Sequence, residues 1–356
     1  MTQLRKLVLG GLAALAIGGA ASSALAEEPG SFYNRLNGAT IGLPLGALPP
    51  PGLYTGLETA YLGWPGKGNG NQGMLGTSPL YFAGIANAVP LLYVPGWNFL
   101  GASYAMSVVA AFYEVNVLTS SQFGSVADPA PFGQVYAIAN PTWNPITLSW
   151  NLGSGWFVSA GFNFMAPIGT HSSTGTTNPD YWTLEPTFAV AWLSPSWVLA
   201  ANFFYDINTA SAGNSCCGAG LQAPGYTSGN ILDIDLTAAW KIGKWQIGPV
   251  AYFEIQTTND SLSTSSGSVK IGGAAVPGIT NCATLATVSA GGYTCANAFN
   301  AAVGGLVGYN FGPVDLQVWV TDSVEHRNQI DGLNIWTRLG FRLWGPEAPK
   351  PLVAKN

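Results

Sequence analysis

The sequence predicts an all-β chain, a transmembrane antiparallel up-and-down β-barrel of about 12 strands. Three observations carry this. Strand after strand has one apolar and one polar face, the connections alternate short and long from first to last, and the chain holds too little charge to cover a water-exposed surface. The clearest strands lie between 229 and 257. On the first of them Leu232, Ile234, Leu236, Ala238 and Trp240 share one parity, and Asp233, Asp235, Thr237 and Lys241 the other. Past the turn at Gly243 and Lys244, Trp245, Ile247, Ala251, Phe253 and Ile255 are opposed by Gln246, Tyr252, Glu254 and Gln256. Successive side chains on a strand point to opposite faces, so this hairpin has one oily and one wet surface.

Composition narrows the solvent. Only 8% of residues are charged, 12% are aromatic, and the chain holds 13 Trp and 46 Gly. A soluble domain of this length covers itself with Lys, Arg, Asp and Glu, at about 25% charged residues. The formal net charge of −5 and the scarcity of Lys and Arg argue against nucleic acid as a partner. The outer surface therefore either faces lipid or is buried in an assembly, and the strand pattern points to outer-membrane lipid.

The elements follow in order. Residues 1–26 read as a signal peptide: Arg5 and Lys6, an apolar run from Leu7 to Ile17, and small residues ending in Ala24-Leu-Ala26. The run is too short for the ~20 residues a helical span requires. Residues 27–51 lack periodicity, contain Pro49-Pro-Pro51, and are expected to form a periplasmic or lumenal lead-in able to act as a plug. The barrel itself occupies 52–344, with strands at 52–63, 80–93, 97–113, 133–151, 156–166, 181–193, 197–207, 229–242, 245–257, 300–311, 314–323 and 333–344. Tight joints fall at 94–96, 152–155, 194–196, 243–244 and 311–313. Long ones fall at 64–79, 114–132, 167–180, 208–228, 258–299 and 324–332. Strict interleaving puts all short turns at one end and all long loops at the other, the layout of bacterial outer-membrane barrels. Closure satisfies every backbone group where no water is available. Pro141, Pro145, Pro186 and Pro249 interrupt strands and are expected to sit at bulges. Trp156, Trp197 and Trp245 open strands just after tight turns, and Trp240 and Trp344 lie near strand ends, as interfacial girdles do. Residues 345–356 form a polar tail.

The inward parity places Glu58, Glu185, Asp233, Asp235, Glu254 and Asp315 inside the barrel, with Arg338 and Arg342 on the last strand. Closure sets that strand beside the first, so Arg338 or Arg342 meets Glu58 across the seam. Such charges either stabilise the interior by pairing or set polarity along a solute path. Tyr54, Phe204, Tyr252 and Trp319 are the lumenal aromatics, available as packing or as contact surface for a hydrophobic ligand.

Cys216, Cys217, Cys282 and Cys295 fall in loops and suit an oxidising compartment. Cys282 with Cys295 is one pairing; a vicinal disulfide, cross-pairing or free thiols remain open for Cys216 and Cys217. No His or acidic cluster accompanies them, so no metal and no cofactor is expected. His171 and His326 lie in loop-like sequence, away from any strand face carrying a serine at matching parity, and no catalytic centre is expected.

Several short motifs occur in a defined order: Pro50-Pro-Gly-Leu-Tyr54, Ala166-Pro-Ile-Gly169, Asn178-Pro-Asp-Tyr-Trp-Thr-Leu-Glu-Pro186, Tyr226-Thr-Ser-Gly229, Ile247-Gly-Pro249, Gln256-Thr-Thr-Asn-Asp260 and Phe311-Gly-Pro313. In this order the chain resembles, over roughly 50–344, the outer-membrane transporter family linked to the meta-pathway of phenol degradation. The polar tail and the cysteine-bearing loops depart from that pattern. The resemblance implies a barrel for passive uptake of small hydrophobic or aromatic molecules, and it supplies no binding residues. The competing reading is a surface structural or adhesive barrel with a filled lumen. The sequence leaves oligomeric state open.

Overall fold

The computed structural model describes residues 34–62, 74–75, 78–119, 134–170, 178–212, 221–263, 265, 267–271, 273–281, 284, 297–327 and 332–346. Residues 1–26, expected as a signal peptide, the start of the expected lead-in, all four cysteines, His171 and most of the polar tail lie outside these residues. Among the described residues twelve strands close into one antiparallel barrel. They are β1 (Gly52–Leu62), β2 (Ser78–Val94), β3 (Ala102–Thr119), β4 (Thr142–Gly153), β5 (Trp156–Met165) and β6 (Thr183–Leu193), then β7 (Trp197–Asn208), β8 (Ile231–Ile242), β9 (Trp245–Gln256), β10 (Phe299–Asn310), β11 (Val314–Arg327) and β12 (Leu333–Trp344). Each strand pairs with its sequence neighbours, and β1 pairs with β12 to close the wall.

Parity follows the sequence reading. On β8 the side chains of Asp233, Asp235, Thr237 and Ala239 are buried inside, while Trp240 is exposed outside. On β9 Tyr252, Glu254 and Gln256 are buried and Trp245 and Ile247 exposed. Tyrosine and tryptophan gather at the short-turn end: Trp197 faces Trp240 across β7 and β8 with ring centroids 6.4 Å apart, and Trp245 meets Tyr309 edge-on at 4.7 Å. Aromatic pairs contribute about 0.5–1.5 kcal/mol beyond their burial. Trp197→Ala is expected to lower unfolding free energy in lipid vesicles by about 1 kcal/mol, with Trp197→Phe recovering part of it. A urea titration of the folded barrel checks this.

Several boundaries differ from the sequence reading. The third strand begins at Ala102, not 97, because a small hairpin pairs Asn98–Phe99 with the start of β3 around Leu100 and Gly101, both at positive φ. The expected strand at 133–151 is two pieces. Gln134–Ile138 pairs with the far end of β3, and β4 pairs with its near half. Pro141 falls in the break between them. β11 runs on to Arg327, which puts His326 on a strand opposite Asn300 rather than in a loop.

The prolines are accommodated in two ways. A register shift, the expected bulge, occurs at Pro145, between Trp143 and Ile146. At Pro186 and Pro249 the ladder on one side pauses and resumes in the same register: Phe204 faces Thr187 and Ile207 faces Leu184, and likewise Thr237 faces Val250 and Trp240 faces Ile247. A missing donor thus leaves a local gap without displacing the strand.

Above the long-loop end, Leu221–Gln222 pairs with Lys270–Ile271, which pairs with Ala274–Ala275, and Tyr226–Thr227 pairs with Ser261–Leu262. Asp260 ties this second pair to the barrel, accepting from the Tyr226 hydroxyl at 2.7 Å and the Gly229 amide at 2.7 Å.

Candidate functional site: the occupied lumen

Residues 34–51 run inside the barrel from the long-loop end to the short-turn end, where β1 begins. The segment has no strand partner and folds as a chain of turns, with amides of Ala39, Ile41, Leu43 and Ala47 bonded three residues back. Its remaining backbone groups need donors and acceptors from the wall, and inward side chains supply them. Asp235 accepts from the amides of Gly38 and Thr40 at 3.0 and 2.9 Å and from the Thr40 hydroxyl at 2.6 Å. Thr237 accepts from Gly42 N at 2.8 Å. Asn202 donates to the carbonyls of Thr40 and Leu43, and Ser159 and Ser149 donate to those of Leu45 and Gly46. Close approach requires glycine at two positions. Gly42 has φ +83°, and a Cβ there would lie 2.7 Å from Gln317 Oε1; a Cβ on Gly46 would lie 2.7 Å from Ala191 N.

Two arginines anchor the segment. Arg338 on β12 donates to Glu58 Oε1 at 2.6 Å, to Ile41 O at 2.7 Å and to Gln317 Oε1 at 2.9 Å, and also bonds Ala39 O. Glu58 and Arg338 stand directly opposite in the seam register. Arg342 faces Tyr54 at the short-turn mouth and donates to Pro51 O at 2.5 Å, so it stands at the end of the lumen rather than pairing with Glu58.

The second anchor, Arg35, lies on the segment itself. Its guanidinium sits 3.7 Å from Glu185, 4.0 Å from Asp233 and 3.9 Å from Asp235, with the Phe204 ring 3.2 Å away. Burial by itself lowers the Arg35 pKa, but Glu185, Asp235, Asp233 and Asp206 together hold it above the ordinary value, so the cation persists.

The inward charged residues take distinct places. Glu185, Asp233 and Asp235 surround Arg35, Glu58 pairs with Arg338, Glu254 is fully buried next to Asp233 on the neighbouring strand, and Asp315 accepts from Asn310 near the short-turn mouth. Of the aromatics, Phe204 contacts Arg35, Tyr252 and Trp319 are buried in the packed side of the lumen, and Tyr54 caps the mouth by donating to Pro50 O at 2.7 Å. Trp319 stacks on Trp336 with centroids 5.4 Å apart and planes 7° off parallel.

Sequence reasoning passes over Arg35, Asp206 and Trp336. The parity that places Phe204 inside also places Asp206 inside, and the parity of Arg338 does the same for Trp336. Arg35 lacks periodicity to announce it; its signal is that the acids on β6 and β8 outnumber the inward cations there, since Lys241 stands at the short-turn end of β8 and donates to Ser194 O.

Beside the segment a cavity of about 960 Å³ remains. Its lining reaches from Tyr54, Arg342 and Pro313 at the short-turn mouth to Tyr113, Asn140 and Asn178 at the long-loop end, and between them it is mostly small and apolar: Ala88, Val109, Ala111 and Leu92. Among the described residues no group of His, Cys, Asp and Glu has the spacing to hold a metal ion.

Among solved structures the chain is similar to the COG4313 outer membrane channel from Pseudomonas putida F1, at 11% identity, covering 83% of this chain and 96% of that one with a TM-score of 0.54. The overlap identifies the fold as that of an outer-membrane barrel. The CymD monoaromatic hydrocarbon channel (13% identity, 88% and 93% covered, TM-score 0.36) and the β domain of the Bordetella autotransporter BrkA (9% identity, 83% and 100% covered, TM-score 0.40) overlap more loosely. No curated protein sequence matches the chain. With its apolar outer face and closed ladder, the protein is a bacterial outer-membrane β-barrel. The model of the family described as Putative MetA-pathway of phenol degradation matches residues 65–280, more than half of the sequence, and the chain belongs to that family.

Proposed function

We propose that the protein is a passive outer-membrane channel for small hydrophobic or aromatic molecules. The observation that carries this reading is the largely apolar cavity of about 960 Å³ whose lining spans both ends of the barrel. Cavities of that size accept a molecule of one or two rings. Small side chains along its middle keep it open, with Asn140, Asn178 and Tyr113 offering polar contacts at one end and Tyr54 and Arg342 at the other. The solved barrel that overlaps best among those compared above is named an outer membrane channel, and the family is described by phenol degradation; both support the reading.

Filling the cavity tests it. Ala111→Trp, at a wall position two strands from Glu58, puts an indole into the cavity and is expected to reduce phenol or toluene entry into proteoliposomes by about tenfold while the barrel still folds. Equal entry rates with and without the indole count against this route. The alternative, a structural barrel with a filled lumen, is favoured by the presence of residues 34–51 inside, and it predicts no solute entry from either form.

A further inference from the structure

The two lumenal anchors are held in opposite ways. Arg338 belongs to the wall and makes direct hydrogen bonds at 2.6 to 2.9 Å. Arg35 belongs to the lumenal segment, and its three carboxylate partners stand at 3.7 to 4.0 Å, beyond hydrogen-bond length. Its Nη2 is buried and makes no hydrogen bond, and neither Glu185 Oε2, Asp233 Oδ1 nor Asp206 Oδ1 accepts one. The guanidinium therefore rests by charge and by the face of Phe204, in a seat that does not match its donor pattern. Four carboxylates, Glu185, Asp206, Asp233 and Asp235, act on that one cation. If the segment leaves, they remain on the wall without a counter-charge, and they must then take up protons, be hydrated or bind another cation.

We propose that Glu185, Asp233, Asp235 and Phe204 form a binding site for small organic cations, guanidinium or primary amine, which Arg35 fills here as a tethered ligand, so that a solute carrying such a group displaces residues 34–51. The aromatic ring and the loose carboxylate spacing favour an organic cation, and the absence of metal-site spacing among the described residues agrees with that choice. The proposal is independent of aromatic solute uptake: the seat can bind cations in a barrel that admits no phenol.

The probe is methylguanidinium chloride, far below denaturing concentrations, against equal sodium chloride. In folded, full-length mature Arg35→Ala protein it is expected to raise the thermal unfolding midpoint saturably. Adding Asp233→Asn and Asp235→Asn to that variant is expected to weaken the apparent affinity by about tenfold or more. In the wild type the probe must compete with Arg35, so a higher concentration is expected to increase potassium current across planar bilayers. No midpoint shift in Arg35→Ala, or an equal shift with sodium or in the asparagine variant, overturns the site. An unchanged wild-type current overturns displacement. If Arg35→Ala does not assemble, Arg35→Met replaces it. Should both fail to assemble, refolding yield becomes the readout: rescue by methylguanidinium but not by sodium supports the site, and failure of rescue overturns it.

Discussion

Arg338→Ala is expected to lower the barrel's unfolding free energy by about 3–5 kcal/mol, because it leaves Glu58 buried without its partner. The two side chains are 7% and 12% exposed, and their 2.6 Å contact spans the β1–β12 seam on which closure depends. The same guanidinium also holds the carbonyls of Ala39 and Ile41, so the variant loosens the lumenal segment as well as the seam. Removing both charges separates the two effects. Glu58→Gln with Arg338→Met has no orphaned charge and is expected to regain more than half of the lost stability while the segment stays loose. Arg338→Lys keeps the charge but cannot bond Glu58, Gln317 and two carbonyls together, and should fall between. Urea unfolding in lipid vesicles measures each variant. A loss under about 1 kcal/mol for Arg338→Ala would mean that water reaches the seam and screens the pair.

That seam pair shows how far the sequence reaches. Parity alone puts Glu58, Arg338 and Arg342 on the inner face, and closure alone sets the first strand against the last. The choice between the two arginines depends on register, which sets Arg338 opposite Glu58 and Arg342 opposite Tyr54 and which a period of two does not encode. Strand edges fail for a similar reason. From 97 to 151 small residues and prolines blur the alternation, and the breaks come from the hairpin at 98–103 and the interrupted pairing of β3, both tertiary events. The lumenal segment is the larger omission. A stretch without periodicity carries no face, so nothing local assigns Arg35 to the acids of β6 and β8, some 150 to 200 residues away. The acids themselves are legible, and their excess over the inward cations of the same strands is the trace of the missing partner.

If residues 34–51 form a plug that leaves the lumen, Gly42→Val should raise the occupancy of the open channel by about a hundredfold. Gly42 sits at φ +83°, a conformation that a β-branched residue adopts only with strain of about 1–2 kcal/mol. The added Cβ also falls 2.8 Å from Leu306 Cδ1 and 2.7 Å from Gln317 Oε1. Gln317 donates to Gly42 O and accepts from Arg338, so pushing it aside weakens both contacts, each contributing about 0.5–1.5 kcal/mol. Together these terms approach 3 kcal/mol against the docked state, and each 1.4 kcal/mol is a tenfold change in occupancy. None of them falls on a strand ladder, so the barrel should keep its heat-modifiable mobility and its unfolding free energy in urea to within about 1 kcal/mol. Single-channel recording in planar bilayers reads the open occupancy, and protease cleavage near Gly42 reads release of the segment. Increased cleavage without increased current would place the conducting path beside the segment, in the existing cavity. No change in either would identify residues 34–51 as a fixed part of the interior, as integral to the barrel as the wall that holds them.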